Sequence, residues 1–152
     1  MSNFEVGLLI NVLLVEDNPG DVRLIKEVFE DAKVMIKLTV VEDGQAALNY
    51  LRQNRGFGGE SGPLLVILDI NLPGKNGLAV LREIKEDKNL LHIPVVVFSS
   101  SDDRYAIESG YDLRASAYVV KPGNYEEFVK AVSRIMEFWM DIARIPGTDG
   151  LN

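Results

Sequence analysis

Five short apolar runs, each followed by a stretch with helical periodicity, constrain this chain more than any other feature. The runs occupy residues 9–15, 36–41, 64–68, 95–98 and 116–120. They lack the apolar–polar alternation of a half-solvated strand, so they read as strands buried on both faces. Between them, Val22, Ile25, Val28 and Phe29, then Ala47, Leu48 and Leu51, then Leu78, Leu81 and Ile84 recur at the spacing of one helix face. Asn18–Pro19–Gly20–Asp21 opens the first helix and Asp43–Gly44 the second. Asp102 starts a fourth helix ending near Gly110, and the last helix spans 125–143. The glycine-rich stretch 55–63 reads as a loop. Strict alternation of buried strands with helices demands a parallel sheet covered on both sides. The right-handed crossover rule makes this an α/β, doubly wound fold of five strands and five helices.

The chain has 152 residues, 47% of them hydrophobic, which suits one ordered domain over 1–152. The core is expected over 9–143, with a mobile tail at 146–152. There is no cysteine, so thiol and disulfide chemistry are excluded. The first residues carry no basic segment before the apolar run, and no run reaches the roughly 18 apolar residues of a membrane span. A cytoplasmic protein is expected. A net charge of −7, from 23 acidic and 16 basic residues, disfavours a nucleic-acid partner.

Ligands of such folds bind outside the carboxyl ends of the strands. Here those ends carry Glu16 and Asp17, Asp69, Ser99 and Lys121. Taken singly, an aspartate or serine at a strand end is more often a turn former or helix cap. Taken together, three carboxylates, a hydroxyl and an ammonium share one rim. Carboxylate oxygens are the ligands Mg²⁺ prefers, and a cation would relieve their mutual repulsion. Asp69 ends the strongest strand and is the nucleophile candidate for phosphoryl transfer, which needs little beyond placement and charge neutralisation. Lys121 and Ser99 would then contact phosphoryl oxygens.

This pattern resembles the receiver domain of bacterial two-component response regulators. The motifs are LLVEDNPGD at 13–21, ILDINLPGKNG at 67–77, PVVVFSSS at 94–101 and AYVVKP at 117–122. More narrowly, NPGD at 18–21, VEDGQAAL at 41–48 and EFWMDIARIP at 137–146 resemble the stand-alone regulators paired with phytochrome-type sensor histidine kinases. The resemblance implies a flavodoxin-like sheet of order 2-1-3-4-5. It implies Mg²⁺ held by Glu16, Asp17, Asp69 and the Asn71 carbonyl, with Asp69 as phosphoacceptor. It implies that Lys121 binds phosphate, that a cis bond precedes Pro122, and that Ser99 and the aromatic Tyr118 form the switch. Ser100 and Ser101 read as alternative caps.

A histidine kinase upstream, of the phytochrome type, and a histidine phosphotransfer protein are the implied partners. The function expected is a phosphorylatable switch with slow self-dephosphorylation rather than a conventional enzyme. A homodimer through helix four, strand five and helix five is also expected. Phe128, Val129, Val132, Ile135, Met136 and Trp139 already form a core stripe, and Phe138, Met140, Ile142 and Ile145 add apolar groups on other bearings. Three rival functions fit less well. A haloacid-dehalogenase-like phosphohydrolase needs a general acid where Asn71 stands. A flavodoxin-like electron carrier needs a phosphate loop where Glu16 and Asp17 stand. A pseudo-receiver binding module would have lost Asp69, Asp17 or Lys121.

Overall fold

The computed structural model describes residues 10–32, 36–54 and 64–143. Strands β1 (Ile10–Val15), β2 (Ile36–Val41), β3 (Leu64–Leu68), β4 (Val95–Ser99) and β5 (Ala117–Val120) form one sheet of order β2-β1-β3-β4-β5. All neighbouring pairs are parallel. Helices α1 (Pro19–Glu30), α2 (Gly44–Asn54), α3 (Gly77–Glu86), α4 (Arg104–Asp112) and α5 (Tyr125–Glu137) cover both faces. This is the doubly wound arrangement the sequence predicts. The loop at 55–63, Ile145 and the tail at 146–152 lie outside the described residues, as does the side chain of Ile142.

Successive strand residues point to opposite faces, so a strand covered on both sides must be apolar throughout. Leu13, Val15, Val66, Leu68, Val95 and Val97 enter one core with α2 and α3. Val12, Leu14, Leu65, Ile67, Val96 and Phe98 enter the other, with α1 and α5. Fully burying each such side chain contributes roughly 1.5–3 kcal/mol, which is why the three central strands carry only two polar residues, Asn11 in β1 and Ser99 at the end of β4.

Side-chain caps set the helix starts. Asn18 accepts from the Asp21 amide, Asn76 from Leu78, Asp103 from Ala106 and Asn124 from Glu127. The fourth helix is therefore capped by Asp103, one residue later than the sequence suggests. It stops at Asp112, two residues past Gly110. That glycine lies inside α4 because the ring of Tyr118 packs on it: an added Cβ would stand 2.9 Å from Tyr118 Cδ2. Strand β5 begins at Ala117 rather than Ser116.

The last helix is shorter than the expected 125–143. Regular α5 ends at Glu137, and Phe138–Ile142 form a wider π-helical turn closed by the Ala143 amide on the Phe138 carbonyl, 2.7 Å. The core stripe of α5 is as read from the sequence. Met140, however, also packs on the core, one turn beyond Met136, while Phe138 is 48% exposed against the edge of Trp139.

Candidate functional site

The sheet's hydrogen bonding continues one residue past the strands and pins the rim. The amide of Glu16 donates to Val41 O at 3.0 Å, that of Asp69 to Val15 O at 3.1 Å, and that of Lys121 to Ser99 O at 2.8 Å. The side chains at these positions are therefore held by rigid elements rather than by loose loops.

Glu16, Asp17 and Asp69 place carboxylate oxygens within 4.8 Å of one another, Asp17 exposed and the other two buried. Lys121 reaches into the group. Its Nζ donates to Glu16 Oε1 at 2.7 Å, Asp21 Oδ2 at 2.7 Å and Asp69 Oδ2 at 3.2 Å. Beside them opens a cleft of about 400 Å³, lined among others by Asp17, Asp69, Asn71, Ser100 and Lys121.

One ammonium among so many carboxylates leaves the site short of positive charge. Burial pushes the Glu16 carboxyl up to about 7, against the pull of Lys121, and the neighbouring Asp69 adds to the rise. Burial alone would lower Lys121, but its hydrogen bonds to Asp21 and Glu16 prevail and hold it charged, above the ordinary lysine range. An all-oxygen, charge-deficient donor set fits a hard divalent cation.

A second set of contacts leads away from Asp69. The Asn71 amide donates to Asp69 Oδ1 at 3.1 Å, and Asn71 Nδ2 donates to Ser101 Oγ at 2.9 Å. Tyr118 donates its hydroxyl to Ser101 O at 2.6 Å, and its amide donates to the Tyr111 hydroxyl at 3.1 Å. Burial, then the charge of Asp103, holds the Tyr118 phenol protonated above its usual range. Ser99 is fully buried, with Oγ accepting from the Ser101 amide at 3.3 Å, and it does not line the cleft.

The structure thus brings together Glu16, Asp17, Asp69 and Lys121, with Asn71 alongside. It sets Ser99 behind the cleft and Tyr118 one contact further out. Two expectations are corrected. The bond before Pro122 is trans, since no cis peptide occurs among the described residues; trans is the intrinsically favoured isomer, and Lys121 reaches its carboxylates with it. Ser101 is no cap: its side chain and carbonyl join Asn71 to Tyr118. Asp21 was missed as well. Its place in the first turn of α1, just past the strand end that carries Glu16 and Asp17, was the available signal.

The response regulator receiver domain model matches residues 12–133, and the chain belongs to that family, the receiver domains of two-component systems. Response regulator Rcp1 of Synechocystis sp. is 36% identical over 135 residues, covering 89% of this chain and 92% of Rcp1. The crystal structure of Mn²⁺-bound Rcp1 matches with a TM-score of 0.81, covering 90% of this chain and 98% of that one. The phosphorylated cyanobacterial phytochrome response regulator RcpA is 42% identical, with a TM-score of 0.83 and coverage of 90% and 97%. No helix among the described residues is long and apolar enough to cross a membrane.

Proposed function

We propose that the chain is a phosphorylatable switch of the cytoplasm, in which Asp69 accepts a phosphoryl group from a sensor histidine kinase. The observation that carries this reading is the contact of Lys121 Nζ with Asp69 Oδ2, 3.2 Å, inside the carboxylate group at the rim. Glu16, Asp17, Asp69 and the carbonyl of Asn71 would hold Mg²⁺, which when bound neutralises oxygens of the transferring group. An Asp69 carboxylate oxygen attacks phosphorus, the bond to the donor's histidine nitrogen breaks, and the imidazole leaves with the bonding pair. Lys121 balances the new charge. The likeness to RcpA supports a kinase of the phytochrome type upstream, and a histidine phosphotransfer protein fits as a further partner.

Ser99 is fully buried with its Oγ 3.5 Å from Asn71 Nδ2, and a shift of the segment carrying Ser100 and Ser101 would bring it to a phosphoryl oxygen. That shift breaks the Tyr118–Ser101 hydrogen bond and frees the tyrosine to move inward, repacking α4, β5 and α5. This face also suits a homodimer. Tyr105, Tyr111, Val120, Tyr125 and Phe138, on α4, β5, α5 and the turn after it, are all exposed.

The test is incubation with acetyl phosphate and Mg²⁺ followed by intact mass measurement. One labile phosphoryl group is expected on the wild type and none on D69N; undiminished labelling of D69N refutes the assignment. Light scattering at several concentrations, with and without beryllofluoride, checks the dimer. A monomer at about 100 µM in both states refutes it.

A further inference from the structure

Asp21 has no part in the chemistry above, yet its carboxylate is as near to Lys121 Nζ as that of Glu16, 2.7 Å, and nearer than that of Asp69, 3.2 Å. A lysine ammonium has three protons to donate and no capacity to accept. Three carboxylates take them all, and with its side chain only 8% exposed Lys121 has little water to turn to. A phosphoryl oxygen arriving on Asp69 therefore reaches Lys121 by replacing one of the three.

The three carboxylates differ in how readily they can let go. Glu16 is buried and also accepts the Asn18 amide at 3.1 Å. Asp69 is the group being modified. Asp21 has a side chain 23% exposed and stands in the first turn of α1, where the helix dipole favours a negative charge. Rehydrating Asp21 costs less than stranding a buried carboxylate.

We propose that Asp21 is a positioning residue for phosphoryl acceptance: it holds the Lys121 ammonium in the resting state and yields it to the phosphoryl oxygens. The proposal rests on the reading of Asp69 and Lys121 given above. Its consequence is a threshold. Drawing the ammonium toward the phosphoryl oxygens breaks the Asp21–Lys121 contact, so Asp21 lowers the affinity of the site for a phosphoryl group while keeping the ammonium in place to receive one.

Two measurements test it. In the first, beryllofluoride with excess Mg²⁺ is titrated into the wild type, D21N and D21E, and into the same set carrying K121M. D21N is expected to bind about tenfold more tightly, the scale of one charge-assisted hydrogen bond no longer broken. D21E should return toward the wild type, and the gain from D21N should shrink in K121M. In the second, urea unfolding without Mg²⁺ is followed for the wild type, D21N, K121M and the double variant. D21N should raise the midpoint more in the K121M background, where Asp21 is left only with repulsive neighbours.

Affinity unchanged in D21N, or a gain equally large in K121M, overturns the proposal, as do additive midpoints. Should K121M bind too weakly to titrate, the unfolding cycle decides. A wild type that takes neither beryllofluoride nor a phosphoryl group overturns the reading of Asp69 instead, and the Mg²⁺-free cycle still reports whether Asp21 holds Lys121.

Discussion

Replacing Gly77 with alanine would put a Cβ 2.3 Å from the main-chain oxygen of Asp69 and 2.6 Å from the Cα of Ile70. Both are backbone atoms at the end of a fully buried strand, so neither can swing aside. Relief requires the start of α3 to retreat by about 1 Å, since carbon contacts settle near 3.5 Å. That retreat stretches the Gly77 amide bond to Ile70 O, now 2.8 Å. Overpacking of this kind costs about 1–3 kcal/mol, and a weakened hydrogen bond adds about 1 kcal/mol. Better helix propensity returns at most about 1 kcal/mol.

The expected net loss for G77A is therefore about 1–3 kcal/mol, or a fall in Tm of roughly 2–12 °C for a domain of this size. Urea unfolding at a common m-value measures it. G123A is the control, because a Cβ there meets nothing within 4 Å and its shift should stay within about 0.5 kcal/mol. G44A should fall between them: its nearest neighbour is a Val80 methyl, which can turn, with the Lys75 carbonyl next at 3.0 Å. A G77A midpoint no lower than that of G123A would refute the steric reasoning.

Glu83 is paired with Lys75 and Arg52, and the hydrogen bond from Lys75 chiefly holds its carboxyl below the usual range. A depressed folded pKa contributes stability at neutral pH that is lost as pH falls through that pKa. E83Q should thus be slightly less stable than the wild type at pH 7, with the gap closing below about pH 4; a gap independent of pH in urea titrations contradicts this. K85M should lose about 1–3 kcal/mol, because the buried ammonium serves the Leu91 and Ile93 carbonyls at 2.9 and 2.7 Å; equal urea midpoints would contradict that. Y111F removes the acceptor of the Tyr118 amide. Hydrogen exchange at that amide should quicken about fivefold, the equivalent of roughly 1 kcal/mol, and an unchanged rate would show that the hydroxyl does not protect it.

The strands were legible because burial on both faces leaves no room for polar residues, and Leu64–Leu68 is apolar without a break. The rim was legible because strand ends in a parallel sheet share one edge, so Glu16, Asp17, Asp69 and Lys121 had to meet. Contacts that depend on side-chain reach were not. Asp21 and Lys121 are 100 positions apart, and nothing local to either marks the other as its partner. Gly110 looked like a helix stop because a glycine's local preference is visible in sequence, while the tyrosine ring that needs the missing Cβ is not. Ser101 looked like a cap for the same reason: its local options were clear, and its ties to Asn71 and Tyr118 came only with the fold.

The contact between Tyr111 and Tyr118 has a consequence for the sheet as a whole. Among the described residues strand β5 is an edge, paired with β4 on one side only. An open edge invites another chain to add a strand through its free amides, the usual first step toward unwanted polymer. Here β5 is only four residues long, and the outward amide at its second position already donates to the Tyr111 hydroxyl. A phenol stands where the carbonyl of a sixth strand would have to be, and a newcomer must first dislodge it.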